Sequence, residues 1–290
     1  MEVLKYRLDA ESPWQEIIAI KGDKGDPGLT EAEVIALIRK EIEAAGGTGG
    51  NTGGITPEDS TGLEYQLNSA GTQYTLIGRG SNTDAEIVIP SQVNGIPVVA
   101  IGEKAFFNDT TLTKITFPNT LTTIGLQAFR KCSNLGNFII PNSVITIGNA
   151  AFAECNSITE VAVPSSVTNI GAQAFYACSG LERAVLGCPT IQKTMFGMCR
   201  ALVNVTIENT VTTIAGAAFY NSAVKSLFVP SSVKTLGGYA DPLGGAEESY
   251  CGAFYGMSEL TSLRVGWAEN ARTGAPWDAT NATITYNAVA

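Results

Sequence analysis

The side chains that most often carry chemistry are scarce in this sequence of 290 residues, which has no histidine, six cysteines and 27 acidic residues. Without an imidazole, a Ser-His-Asp triad, a Cys-His pair, a histidine-ligated zinc and a histidine pH switch are all excluded. No two cysteines stand in a C-x-x-C arrangement, so the sequence does not support a zinc site or a thiol redox site. We expect no catalytic residue, no metal and no cofactor.

The acidic residues include two close pairs, Glu247 with Glu248 and Asp23 with Asp26. A glycosidase needs two carboxylates at a set distance, but nothing in the sequence brings these pairs together. Phosphate-binding loops, dinucleotide-binding glycine patterns, nucleophile elbows and calcium loops are also missing from the sequence. The sequence therefore predicts a protein that is not an enzyme.

The charge of the chain limits its partners. The net charge is −9 and the isoelectric point is about 4.7. Nucleic acids and anionic membranes are bound through basic faces, so neither is an expected partner. The apolar runs are far shorter than the about 20 residues that cross a bilayer, and the first residues lack the pattern of a secretory signal. We expect no membrane insertion and no signal peptide.

From residue 87 onward the sequence repeats itself. The element I-G-x-x-A-F occurs in four clear copies, two degenerate copies and one split copy, which end at Phe106, Phe129, Phe152, Phe175, Phe196, Phe219 and Phe254. The first four of these phenylalanines are spaced by 23 residues. Between them lies a second element, L-x-x-I-x-apolar-Pro, as in the segment LTKITFP at residues 112–118.

This repeat predicts a solenoid, because no single unit can bury its own apolar face but stacked copies can. In each unit we expect a short strand whose alternate residues point inward and a proline that ends it. A tight turn at the glycine should follow, and then one helical or 3₁₀ turn that carries the inward phenylalanine. The fold class is therefore a repeat solenoid with about 23 residues per repeat.

The cysteines follow the same register. Three residues after the repeated phenylalanine stand Cys132, Cys155, Cys178 and Cys199. Stacked coils are spaced like neighbouring strands, about 4.8 Å apart, and their equivalent side chains run parallel and are not aimed at each other. We therefore expect a buried ladder of free thiols. Cys188 and Cys251 lie outside this register and are the candidates for a reactive or bridged thiol.

The clearest copy, LTKITFPNTLTTIGLQAFRKCSN, resembles the BspA-type bacterial leucine-rich repeat. The preceding IVIPSQVNGIPVVAIGEKAF is similar to the opening unit of that family, and APWDATNATITYN resembles its closing segment. The resemblance covers about residues 60–290 and implies a leucine-rich repeat domain over residues 55–290. It implies a surface or adhesive protein only in general terms, since one repeat fold carries ligands of many kinds.

The N-terminal part has a different texture. Within residues 21–29 the run GDKGDPG places Gly22, Gly25 and Gly28 at a period of three. A collagen triple helix requires this period, because only glycine fits at its crowded axis. Two triplets are few, and a turn-rich stretch is the competing interpretation.

Residues 30–45 are predicted to form a short helix that begins with the capping box of Thr30 and Glu33. Three isoleucines occupy the a and d positions of a short coiled coil, namely Ile35, Ile38 and Ile42. Isoleucine at both positions favours three or more strands, so the helix and the collagen-like run both point to a homotrimer. The alternative is an amphipathic helix packed on its own domain.

The first candidate binding surface is the open, concave face of the strand ladder. Two adjacent outward rows of this face supply the candidates. The first row is apolar in its middle and contains Ile139, Ala162, Val185, Phe228 and Arg264, and the second row is mixed and polar and contains Arg183. Apolar residues in a line on a solvent-facing surface indicate an interaction site. The competing explanation is that β-propensity alone places such residues in strands.

The second candidate is the insertion at residues 238–250, which interrupts the period of the last unit. It carries aromatic and acidic side chains, namely Tyr239, Glu247, Glu248 and Tyr250. Such loops suit contacts with carbohydrate or protein. Because terminal repeats are atypical for structural reasons, a capping role is the alternative.

Two functions fit these observations. The first is the receptor-binding tip of a trimeric fibre, because WQEIIAIKGDKGDPG is similar to stretches of phage tail and appendage proteins. Residues 1–20 would then attach to a larger fibre or tail assembly. Residues 46–54 would be a flexible glycine-rich linker. The solenoid would recognise a host cell-surface protein or glycan. The alternative is a bacterial cell-surface leucine-rich repeat adhesin. The expected location is a virion or tail-like particle in the first case and the extracellular surface in the second.

Overall fold

The computed structural model describes residues 4–6, 15–17, 59–237, 252–269, 279 and 281–289. The chain divides into two units, Met1–Thr52 and Gly53–Ala290. The predicted collagen-like stretch, short helix and linker lie outside the described residues, as does the insertion at 238–250. These four segments therefore stay predictions.

All regular elements among the described residues are strands. In chain order they are β1 (Leu4–Tyr6), β2 (Gln15–Ile17), β3 (Glu64–Leu67), β4 (Tyr74–Gly78), β5 (Glu86–Val88), β6 (Gln92–Val93), β7 (Ile96–Ile101), β8 (Lys114–Thr116), β9 (Thr123–Ile124), β10 (Thr146–Ile147), β11 (Glu160–Val163), β12 (Asn169–Ile170), β13 (Arg183–Leu186), β14 (Thr190–Ile191), β15 (Asn204–Ile207), β16 (Thr213–Ile214), β17 (Ser226–Val229), β18 (Thr235–Leu236), β19 (Ser262–Val265) and β20 (Thr283–Thr285).

The described part of the first unit is one antiparallel pair, in which β1 lies beside β2. It falls within the segment predicted to serve for attachment. The second unit opens with an antiparallel hairpin of β3 and β4. Strand β4 then pairs in parallel with β7, which starts the stacked coils.

The second unit is a β-solenoid, as the repeat predicts. A typical coil contributes a first strand and, after a turn, a very short second strand; the coil at residues 137–147 has only the second strand. First strands pair in parallel in the groups β5–β8, β11–β13–β15 and β17–β19–β20. Second strands pair in parallel along β7–β9–β10–β12 and along β14–β16–β18. Equivalent residues of successive coils therefore lie side by side.

The prediction of a helical or 3₁₀ turn around each phenylalanine is wrong for the described coils, which have chained β-turns there. The N–H of Phe107 donates to the carbonyl of Lys104 in the same coil. The N–H of Phe106, however, donates to the carbonyl of Ala128 in the next coil. Lys104 and Asn108 have φ angles of 56° and 60°, in the left-handed region. Helical bonding cannot propagate, because every second N–H is directed to the neighbouring coil.

The core of the solenoid is a stack of phenylalanine rings. The rings of Phe106, Phe129, Phe152, Phe175, Phe196 and Phe219 lie parallel within 1–7°, with successive centroids 5.1–5.7 Å apart. The inward residues of the strand element pack around them, and Leu112, Ile115 and Phe117 are all buried. The period of the sequence thus becomes a continuous apolar column.

Candidate ligand-binding surfaces

The predicted thiol ladder is confirmed. The four in-register cysteines are free and buried. Each thiol donates to the backbone carbonyl of the stacked phenylalanine in the preceding coil at 3.0–3.1 Å; the pairs are Cys132 with Phe106, Cys155 with Phe129, Cys178 with Phe152, and Cys199 with Phe175. Parallel thiols that are each bonded to a carbonyl do not bridge one another.

Burial also makes these thiols poor nucleophiles. Desolvation raises the pKa of Cys132 and Cys178 to about 12, and it raises the pKa of Cys155 and Cys199 well above the ordinary value. Cys188 is likewise free and buried, and burial raises its pKa to about 12. Because the thiolate is the reactive form, Cys188 does not have the properties of a reactive thiol. Cys251 lies outside the described residues.

The outward residues of the first strands, from β5 to β20, form a surface that we call the strand face. Register places the predicted candidates side by side on it. Ala162 pairs with Val185, and Phe228 pairs with Arg264. Arg183 is half-buried and lies opposite Glu160 on the neighbouring strand.

The accessibility of these candidates differs. Ile139 is 57% exposed, whereas Val185 is only 8% exposed and offers little surface to a ligand. Ala162 and Phe228 are half-buried. The guanidinium of Arg264 lies 5.6 Å from the centre of the Phe228 ring and also donates to the carbonyl of Val289. The apolar row is therefore not uniformly open, and Ile139 is its most accessible member.

The coil that carries Ile139 is irregular. No strand runs through residues 137–140, and the side chain of Asn137 takes over part of the main-chain bonding. Its Oδ1 accepts from the N–H groups of Thr159 at 2.8 Å and Glu160 at 3.2 Å. Its Nδ2 donates to the Thr159 hydroxyl at 2.9 Å. Asn137 thus holds the next coil in place while Ile139 projects from the strand face.

A groove of about 490 Å³ opens across three successive coils near the C-terminal end of the solenoid. Its lining includes Arg200, Val203, Asn221, Ser222, Lys225 and Glu259. The middle coil is one residue short here, because Val224 follows Phe219 by five residues while Leu202 follows Phe196 by six. The repeat pattern did not predict this groove, although the shortened spacing is visible in the sequence.

The remaining candidate residues cannot be placed. The insertion residues Tyr239, Glu247, Glu248 and Tyr250 lie outside the described part of the chain, as do the predicted trimerisation residues Gly22, Gly25, Gly28, Ile35, Ile38 and Ile42. Within the residues that are described, no group of acidic or cysteine side chains could hold a metal ion. In the same residues, no helix is long and apolar enough to cross a membrane.

The repeats have a recognisable family. A model of the BspA type leucine rich repeat region matches six copies, over residues 99–188 and 186–240. Residues 99–240 are BspA-type leucine-rich repeats. This confirms the resemblance drawn from the repeated elements. No curated protein matches the sequence significantly.

Solved structures of bacterial leucine-rich repeat proteins are similar to this solenoid. A leucine rich cell surface protein from Faecalibacterium prausnitzii is 26% identical over 74% of this chain, with a TM-score of 0.57. The match spans 56% of that protein's length. A T. pallidum leucine-rich repeat protein is 28% identical over 58% of this chain and 89% of its own, with a TM-score of 0.48. A Bacteroides ovatus leucine-rich repeat protein is 19% identical over 80% of this chain and 76% of its own, with a TM-score of 0.46.

Proposed function

We propose that this protein is a bacterial cell-surface protein that binds or adheres to another surface through its solenoid. The observation that carries the proposal is the BspA-type repeat domain together with its likeness to the cell surface protein of F. prausnitzii. Stacked repeats build an extended surface that suits binding, and the described residues offer buried, inert thiols in place of a catalytic group. These observations favour an adhesin on the extracellular surface over an enzyme.

The strand face is the surface that we assign to this contact. Ile139 is 57% exposed in a coil that has no first strand, between the coils that carry half-buried Ala162 and exposed Thr116. An exposed isoleucine gains free energy when a partner removes it from water, about 1.5–3 kcal/mol for full burial. The irregular coil held by Asn137 is thus the best candidate for an apolar anchor.

We predict that Ile139→Asp weakens binding to target cells by about tenfold or more, because a carboxylate replaces an apolar contact at the interface. The measurement is binding of the labelled full chain to a panel of bacterial and mammalian cells and immobilised glycans. Ile145→Asp is the matched control, since Ile145 is 47% exposed in the same coil but lies outside the strand face. If both variants bind like the wild type, the strand face is not the adhesive surface.

A trimeric fibre tip is the second proposed function. It is supported by sequence features alone: the glycine period of residues 22–28, the isoleucine spacing of residues 35–42 and the similarity of WQEIIAIKGDKGDPG to stretches of phage tail and appendage proteins. Under this proposal the full chain sediments as a trimer at micromolar concentration, whereas residues 55–290 sediment as a monomer, because the trimerising segments precede residue 55. A full chain that stays monomeric would contradict the fibre but not the adhesin.

A further inference from the structure

The groove across the shortened coil has the composition of a ligand site. It is an open depression of about 490 Å³ on the surface of the solenoid. Arg200 and Lys225 line it, both exposed, and neither has an ion-pair partner among the described residues. Two cations that converge in one groove are notable in a chain with a net charge of −9. They would attract an anionic ligand.

The groove also contains an unsatisfied hydroxyl. Ser222 stands where four other coils have a cysteine of the thiol ladder. It is 3% exposed, and its Oγ has no hydrogen-bond partner among the described residues. The hydroxyl of Ser222 is enclosed beneath the surface of the groove, so the exposed lining groups and not this hydroxyl are the ones presented to a ligand.

The other lining groups suit a sugar ring. Asn221 offers an amide, and Glu259 offers a carboxylate that can accept from hydroxyls. Val203 is 44% exposed and offers an apolar patch to the C–H groups of a ring. Tyr220 directly precedes Asn221 in the chain, and its ring stacks on that of Tyr255 with centroids 5.9 Å apart; Tyr255 is 47% exposed, and neither ring is part of the groove lining. Exposed aromatic faces with a polar tip suit amphipathic ligands.

We propose that this groove binds a carboxylated saccharide, with Arg200 and Lys225 on the carboxylate and with Asn221 and Glu259 on the hydroxyls. Arginine binds a carboxylate through paired hydrogen bonds, and such charge-assisted bonds are about twice as strong as neutral ones. The proposal rests on the proposed function as a surface-binding module and adds to it a class of ligand. It uses a different part of the solenoid from the strand face.

The test uses the full chain in isothermal titration with two probes, a galacturonic acid trisaccharide and 3′-sialyllactose. Their neutral counterparts are the methyl ester of the first and lactose for the second. We expect at least one acidic probe to bind and its neutral counterpart to bind about tenfold or more weakly, because the charge-assisted bonds are lost. Failure of both acidic probes would overturn the proposal, as would equal binding of the neutral ones. If hexaglutamate binds as tightly as the acidic saccharides or more tightly, the saccharide proposal is wrong and an acidic peptide is the inferred ligand.

Variants separate the site from the fold. Arg200→Ala and Lys225→Ala should each weaken binding of the acidic probe about tenfold, whereas Lys234→Ala, an exposed lysine outside the groove, should not. Unchanged binding in the groove variants would overturn the assignment. If Ile139→Asp abolishes cell binding while no acidic saccharide binds, the proposed function survives and the groove proposal fails.

Discussion

Phe152→Ala is expected to lower the free energy of unfolding by about 3–5 kcal/mol. The Phe152 ring is fully buried and lies between Phe129 and Phe175, with centroid distances of 5.2 and 5.3 Å. The ring of Phe138 lies 4.6 Å away on another side. Truncation leaves a cavity inside a column whose neighbours are fixed by their own coils, so the surroundings cannot collapse to fill it.

Urea unfolding followed by circular dichroism and by intrinsic fluorescence measures this effect. Two probes are needed because long repeat arrays can unfold in more than one step. Phe107→Ala is the matched control, since Phe107 is 41% exposed and borders the same column. Its expected effect is below about 1 kcal/mol, as for most surface substitutions. Equal losses in the two variants would mean that the phenylalanine stack does not hold the solenoid together.

Asp109→Ala is expected to cost roughly 2–4 kcal/mol at pH 7 by opening the N-terminal end of the solenoid. Asp109 occupies the first rung of the cysteine register. Its carboxylate lies 2.7 Å from Nε of Arg79, and the two side chains are 12% and 19% exposed. It also accepts from the N–H and hydroxyl of Thr111 and from the N–H of Leu112. Removing the carboxylate leaves all of these donors and a half-enclosed guanidinium without their acceptor.

The difference in unfolding free energy between wild type and Asp109→Ala should also depend on pH. Burial alone would raise the pKa of the Asp109 carboxyl, but hydrogen bonds from Thr111 and Arg79 outweigh it and hold the pKa below its ordinary value of 3.8. The contribution of Asp109 to stability is therefore complete above that ordinary value and is lost as the pH falls through the lower value of the folded state. Urea unfolding at pH 7 and at about pH 3 measures this effect. The difference in unfolding free energy between wild type and Asp109→Ala should be smaller at the acidic pH.

The control for Asp109 is the ion pair of Lys114 with Glu86, whose side chains are 62% and 66% exposed. Glu86→Ala should change stability by less than about 1 kcal/mol, because exposed pairs are screened by solvent. If Asp109→Ala is no less stable than Glu86→Ala, the ion pair of Asp109 with Arg79 does not stabilise the N-terminal end of the solenoid. The same conclusion would follow if the difference in unfolding free energy between wild type and Asp109→Ala stayed constant as the pH falls.

The sequence alone predicted the features that a period can express. The spacing of the phenylalanines placed Phe106 to Phe219 in one column, and the register of Cys132 to Cys199 predicted a ladder of free thiols; both are confirmed. Apolar residues that recur at a fixed interval can be buried only by stacking, so the physics leaves few other folds. The BspA-type family followed from the same repeated elements.

Contacts between coils could not be read in this way. The repeat pattern predicts a tight turn at the repeated glycine, but Gly148 is needed for another reason. A Cβ placed there would lie 2.5 Å from the backbone nitrogen of Leu126 in the preceding coil. The structure likewise has β-turns where a helical turn was predicted, and these turns direct alternate N–H groups to the next coil. Both features depend on how closely two coils approach, which no single repeat records.

The candidate site shows the same division between sequence and structure. The sequence determined which residues lie side by side on the strand face, because parallel stacking preserves register from one coil to the next. Only the tertiary structure decided which of them reach solvent, leaving Ile139 exposed and Val185 buried. It also revealed a groove at the coil that is one residue short before Val224, with Arg200 and Lys225 in its lining. Register is a property of the repeat, whereas exposure depends on the neighbouring coils that fill or leave space around each side chain.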